Sequence, residues 1–136
     1  MYSTKPILLL EDDLIDQQAV KRAFEELKIK NKLIIRENGE EGLAYLKEFG
    51  LPCLIILDLN MPKMNGMEFL EIVKKDKLYQ TIPIIVFTTS DEEREKLEAY
   101  HKCIVGYIVK PPDYKSFVDI FNRINLYWTI SEGPVN

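Results

Sequence analysis

The chain has 136 residues, 46% of them hydrophobic, and a formal net charge of -4. This length suits one domain with a single real core, and the mild acidity argues against a nonspecific nucleic-acid binder, which leans on a basic surface. No apolar run approaches a membrane span, and MYSTKPILLL lacks the basic region, long apolar stretch and cleavage site of a signal peptide, so a cytoplasmic protein is expected.

In chain order, the first predicted strand covers residues 6–10 and runs into Glu11, Asp12 and Asp13. DLID, residues 13–16, is an acidic variant of a capping box, so Asp13 is expected to open a helix. Val20, Phe24 and Leu27 recur at helical spacing and supply that helix's buried stripe. A second strand is expected over 33–35. Gly50 punctuates the turn before a third, over 53–57, which ends on Asp58. Gly66 marks the next turn, and Phe69, Leu70 and Val73 the next helical stripe. A fourth strand, 82–87, leads into Thr88 and Thr89. Ser90 and Glu93 then read as a capping box for a charged helix, with His101 solvated near its end. The fifth strand, 104–109, ends on Lys110. Phe117, Phe121, Ile124 and Tyr127 lie on one stripe of a closing helix, and the short tail after it leaves no room for a second domain. Cys53 and Cys103 begin strands three and five. They fit neither a disulfide framework nor a metal spacing and are read as reduced core thiols.

Alternating strands and helices imply a parallel sheet covered on both faces. Three of the runs are almost continuously apolar, as strands buried on both faces are. Right-handed crossovers leave a few doubly wound topologies. In these the functional crevice lies beyond the carboxyl ends of the strands, which selects Glu11, Asp12, Asp58, Thr88 and Lys110. Three neighbouring carboxylates repel and call for a cation, and oxygen-only ligands suit Mg²⁺. Beside such an ion a carboxylate can attack a phosphoryl group and form an acyl phosphate, with the ion, an ammonium and a hydroxyl stabilising the charge in transit. Asp58 is the nucleophile candidate, and Glu11 and Asp12 are the metal pair. Two other functions share the architecture. A flavin carrier of the flavodoxin type needs a glycine- and hydroxyl-rich phosphate loop where this chain has EDDLID. A Mg²⁺-dependent phosphohydrolase commonly carries a second aspartate where this chain has Asn60.

The acid pair in LEDD, Asp58 in LDLNMP, the hydroxyl in FTTS and the lysine in GYIVKP together resemble the receiver domain of two-component response regulators, over nearly the whole chain. The resemblance implies a single CheY-like domain, core about 4–128 with a tail at 129–136, and no output domain. Its fold is α/β and flavodoxin-like: one doubly wound five-stranded parallel sheet in the order 2-1-3-4-5, flanked by five helices. It implies a signalling switch and not an enzyme with an external substrate. Asp58 would accept phosphate from a phosphohistidine of a sensor histidine kinase. Asp12, Asp58 and the Asn60 backbone carbonyl would bind Mg²⁺, with Glu11 acting through water. Lys110 would contact the phosphate, Thr88 would move to it, and Tyr107 would turn inward behind Thr88. Pro111 would follow a cis peptide. Pro112, Thr89 and the KCIVG stretch depart from the family pattern and bear on the lifetime and shape of the switch. A narrower likeness, in LLLEDD with Asp16, DLNMP, FTTSD and LYWTISEGPVN, is to single-domain regulators that partner bacterial phytochrome kinases. The sparse fourth helix with Phe121, Tyr127 and Trp128 is expected to form a homodimer face, the alternative being that Trp128 packs on its own domain.

Overall fold

A computed structural model describes residues 4–130. Strands β1 (Ile7–Leu10), β2 (Leu33–Arg36), β3 (Leu54–Leu57), β4 (Ile84–Thr88) and β5 (Gly106–Val109) alternate with helices α1 (Leu14–Glu26), α2 (Gly39–Phe49), α3 (Gly66–Lys75), α4 (Glu93–His101) and α5 (Tyr114–Ile130). The sheet is parallel throughout in the expected order β2-β1-β3-β4-β5. The three runs read as doubly buried are its centre: every residue of β1, β3 and β4 is buried, whereas the edge strand β2 is half-buried along its length. No helix among the described residues is long and apolar enough to cross a membrane.

The two-residue period of the strands sorts their side chains into two cores. Leu8, Leu10, Ile55, Leu57, Ile84 and Val86 pack under α2, α3 and α4 with Leu46, Phe69 and Ala99. Ile7, Leu9, Leu54, Ile56, Ile85 and Phe87 pack under α1 and α5 with Phe24, Phe117 and Phe121. Rings hold the second core, with Phe87 edge-on to Phe117 and Phe121 at 5.1 and 5.4 Å. By the same alternation Glu11, Asp58 and Lys110 fall to the α1/α5 side, and Thr88 and Tyr107 to the other.

Five expectations need correction. Ser90 does not cap α4. The N-cap is Glu92, without a side-chain bond, because Ser90 stands in the preceding loop and its hydroxyl binds Glu95. Asp13 does cap α1, accepting from Ile15 N at 2.8 Å and Asp16 N at 3.0 Å, yet the box is not closed, since the Asp13 N–H goes to Glu11 Oε2. Cys103 is exposed in the α4–β5 turn with φ 58°, and Cys53 is half-buried just before β3, its thiol directed at the Lys5 carbonyl. Cys103 is therefore not a core thiol, while Cys53 packs at the margin of the α1/α5 core. The α5 stripe continues from Ile124 to Trp128 and not to Tyr127, because a four-residue step keeps the face. Trp128 thus packs on its own domain and Phe121 is buried, while Leu126 and Tyr127 are exposed. Finally, no described peptide bond is cis. The trans form is intrinsically favoured before proline, and Lys110 reaches the acids with it.

The loop after β3 is clamped from two helices. Gly66 N donates to the Leu59 carbonyl at 3.1 Å, and Gly39 N to the Met64 carbonyl at 2.9 Å. A Cβ on Gly66 would lie 2.5 Å from the Asp58 carbonyl and 2.7 Å from Leu59 Cα, both backbone atoms. Only glycine lets α3 start this close to Asp58. Gly66→Ala is expected to destabilise the domain by about 1–3 kcal/mol, the usual cost of overpacking. A urea midpoint equal to that of the unaltered chain would contradict the clamp.

Candidate functional site

The parallel ladder runs one residue past three strands. Glu11 N donates to the Arg36 carbonyl at 2.9 Å, Asp58 N to Leu10 at 3.0 Å and Lys110 N to Thr88 at 2.8 Å. These bonds set three charged residues side by side at the carboxyl edge. Lys110 Nζ lies 2.6 Å from Glu11 Oε1, 2.7 Å from Asp16 Oδ2 and 3.4 Å from Asp58 Oδ2. Glu11 and Asp58 are buried, and Asp12 beside them is exposed. Glu11, Asp12 and Asp58 each offer a carboxylate oxygen, and these atoms lie within 4.8 Å of one another. Asn60 turns its own N–H back to Asp58 Oδ1 at 3.3 Å.

Thr88 and Tyr107 meet on the other side of the sheet through Ser90. The Thr88 hydroxyl, fully buried, accepts from Ser90 N at 3.4 Å. The Tyr107 hydroxyl donates to the Ser90 carbonyl at 2.9 Å. The structure therefore brings the shortlisted acids and lysine together and sets Thr88, with Tyr107, apart from them on the other face of the sheet edge.

Two residues were missed by the sequence reading. Asp16, taken as part of a cap, reaches Lys110 from the first turn of α1. Gln17 is buried there and donates to the Glu11 carbonyl at 2.7 Å and to Glu37 Oε2 at 3.2 Å, which pins the end of β1. Asp16 sits one helical turn past Asp12, a spacing visible in the sequence. Gln17 carries no such signal.

A doubly wound sheet with three acids and one lysine at its carboxyl edge defines the CheY-like class of signalling domains. The response regulator receiver domain profile matches residues 7–122. The chain is 34% identical over 136 residues to the probable methanogenesis regulatory protein FilR2 of Methanothrix harundinacea, spanning 94% of this chain and 88% of that one. It is 32% identical over 130 residues to the response regulator Rcp1 of Synechocystis, spanning 91% and 88%. Among solved structures, the phosphorylated cyanobacterial phytochrome response regulator RcpA superposes with a TM-score of 0.91 at 28% identity, covering 98% of this chain and all 100% of its own. Mn²⁺-bound Rcp1 superposes with a TM-score of 0.88 at 31% identity, covering 96% and 99%. The chain belongs to the response regulator receiver family, the phosphoacceptor switches that partner sensor histidine kinases in two-component signalling.

Charge in the site is unbalanced, with three carboxylates on one ammonium and Asp12 beside them. Burial pushes the Glu11 carboxyl up to about 7, the Lys110 hydrogen bond opposes it and the Asp58 charge adds to it. Burial disfavours the Lys110 ammonium, but its bonds to Asp16 and Glu11 outweigh this and hold it above its ordinary range. A carboxyl raised on folding keeps a proton that the unfolded chain has released. Its contribution to stability is present below the ordinary carboxylate range and is lost as pH rises through about 7. The metal-free chain is expected to lose stability from this group between its ordinary value of 4.5 and about pH 7. Glu11→Gln is expected to flatten that part of the profile, read as urea midpoints against pH. The same slope in the variant would assign the loss to another group.

Proposed function

We propose that Asp58 is the phosphoacceptor and that Glu11, Asp12 and Asp58 hold a Mg²⁺ ion. The observation that carries this is the double membership of Asp58: its carboxylate belongs both to the oxygen cluster and to the partners of Lys110. The donor set fits a hard cation, being oxygen only and carrying more negative charge than one ammonium can balance. The Mn²⁺-bound state of Rcp1 supports the same reading. The Asn60 carbonyl, beside Asp58 in the clamped loop, completes the proposed ligand set. When bound, the cation neutralises charge on the phosphoryl oxygens. Asp58 attacks the phosphorus, the P–N bond to the kinase histidine breaks, and an acyl phosphate forms on the carboxylate. Lys110 donates a hydrogen bond to the phosphoryl group.

The switch works through Ser90. The long Thr88–Ser90 contact is cheap to give up, so Thr88 can turn to a phosphoryl oxygen. Ser90 and the Tyr107 hydroxyl that it anchors then move with it. Helix α4 follows at small cost, since Ala99 is its buried residue while Leu97 and Tyr100 are 58% and 50% exposed. The output is a homodimer through α4, β5 and the end of α5, where Val105, Val109, Leu126 and Tyr127 are also exposed. Likeness to RcpA, Rcp1 and the bacteriophytochrome response regulator RtBRR supports a phytochrome-type kinase as donor, in the cytoplasm. Those relatives being spanned over most of their length, a receiver that signals through its own surface fits them.

Transfer of labelled phosphate from a phosphorylated phytochrome-type kinase is expected to load the unaltered chain and to fail with Asp58→Asn. Loading of the variant would overturn the acceptor assignment, and transfer from other kinase classes alone would overturn the donor. In light scattering at micromolar concentration, phosphorylation is expected to shift the chain toward a dimer. Thr88→Ala should accept phosphate yet lose that shift, and a full shift in the variant would exclude coupling through Thr88.

A further inference from the structure

Lys110 has one carboxylate partner to which neither the cation nor the acceptor role gives a task. Asp16 Oδ2 lies 2.7 Å from the ammonium, closer than Asp58 Oδ2 at 3.4 Å. It is not among the three acids whose oxygens cluster. Its position is fixed, because its backbone N–H is bonded to Asp13 Oδ1 in the first turn of α1. That turn carries the positive end of the helix dipole, which favours the ionised carboxylate. The Lys110 side chain is only 6% exposed, so the ammonium cannot retreat into solvent and must choose among Glu11, Asp16 and Asp58.

A divalent cation on the cluster draws on Glu11 and Asp58, two of those three partners. The ammonium and the cation then compete for the same oxygens and repel each other in a poorly solvated place. Asp16 is the partner on which the cation makes no demand. We propose that Asp16 is a positioning residue: it holds the Lys110 ammonium toward α1, so that lysine and cation occupy the mouth together. The inference rests on the proposed cation site. A simple distant charge behaves in the opposite way. With Lys110 removed, Asp16 loses its counter-charge and attracts the cation more strongly, so its loss then costs more, not less.

The test is a double-mutant cycle read by Mg²⁺ titration of the whole chain, following the backbone amide resonances of Asp58 and Asn60. Asp16→Asn is expected to weaken Mg²⁺ binding about three- to tenfold in the presence of Lys110, and by less than about twofold in the Lys110→Met background. Without any metal, Asp16→Asn should also shift the side-chain nitrogen resonance of Lys110. Unchanged Mg²⁺ affinity in Asp16→Asn would overturn the inference, and so would an equal or larger loss in the Lys110→Met background. Asp12→Ala in the same series isolates the underlying reading. If that variant binds Mg²⁺ as tightly as the unaltered chain, the cation site itself is wrong.

Discussion

The Lys110 ammonium, buried among carboxylates, ties together β1, α1, β3 and the end of β5. A buried charge is tolerated only when it is paired and hydrogen-bonded. Here the pairing is lopsided, because several acids share one base. Burial raises the Glu11 carboxyl, and the neighbouring Asp58 charge adds to it. The site is thus held closed by one cation and left short of another, which is the condition a divalent ion relieves. A stable apolar edge would have been cheaper to fold, but it would have had nothing to offer a phosphoryl group.

The pleat gives the domain its division of labour. One side of the sheet edge carries Glu11, Asp58 and Lys110 over the tightly packed aromatic core beneath α1 and α5. The other carries Thr88 and Tyr107, joined by Ser90 and lying under the weakly anchored α4. The proposed chemistry thus sits over the aromatic core, and the proposed moving parts lie under α4, whose buried residue is Ala99. In the proposed switch, a change at Asp58 crosses the sheet edge to Thr88 and leaves the aromatic core beneath the acids in place.

The turn after β3 belongs to the same design. Gly66 and Gly39 bring two helices against its backbone, and buried Leu59 and Met61 anchor it from below. Asp58 is held at the mouth by this clamp as well as by its own strand.

By itself the sequence determined the alternation of strands and helices, the three doubly buried strands and the acids, hydroxyl and lysine at their ends. Those features are written in local periodicity and in the order of strand endings, and a parallel sheet puts strand endings on one edge. The tertiary structure alone decided which of these groups touch. Asp16 reads as a cap because capping is local, yet its carboxylate is claimed by a lysine far along the chain. Ser90 likewise satisfies a box pattern, but the Tyr107 hydroxyl and Glu95 fix it in the loop. Trp128 in place of Tyr127, and the exposure of Cys103, depended on where α5 and the α4–β5 turn meet the sheet. Periodicity locates an element and its apolar face. Which partner a polar side chain takes is settled by the long-range ladder and by helix packing, where several local choices are nearly equal in energy.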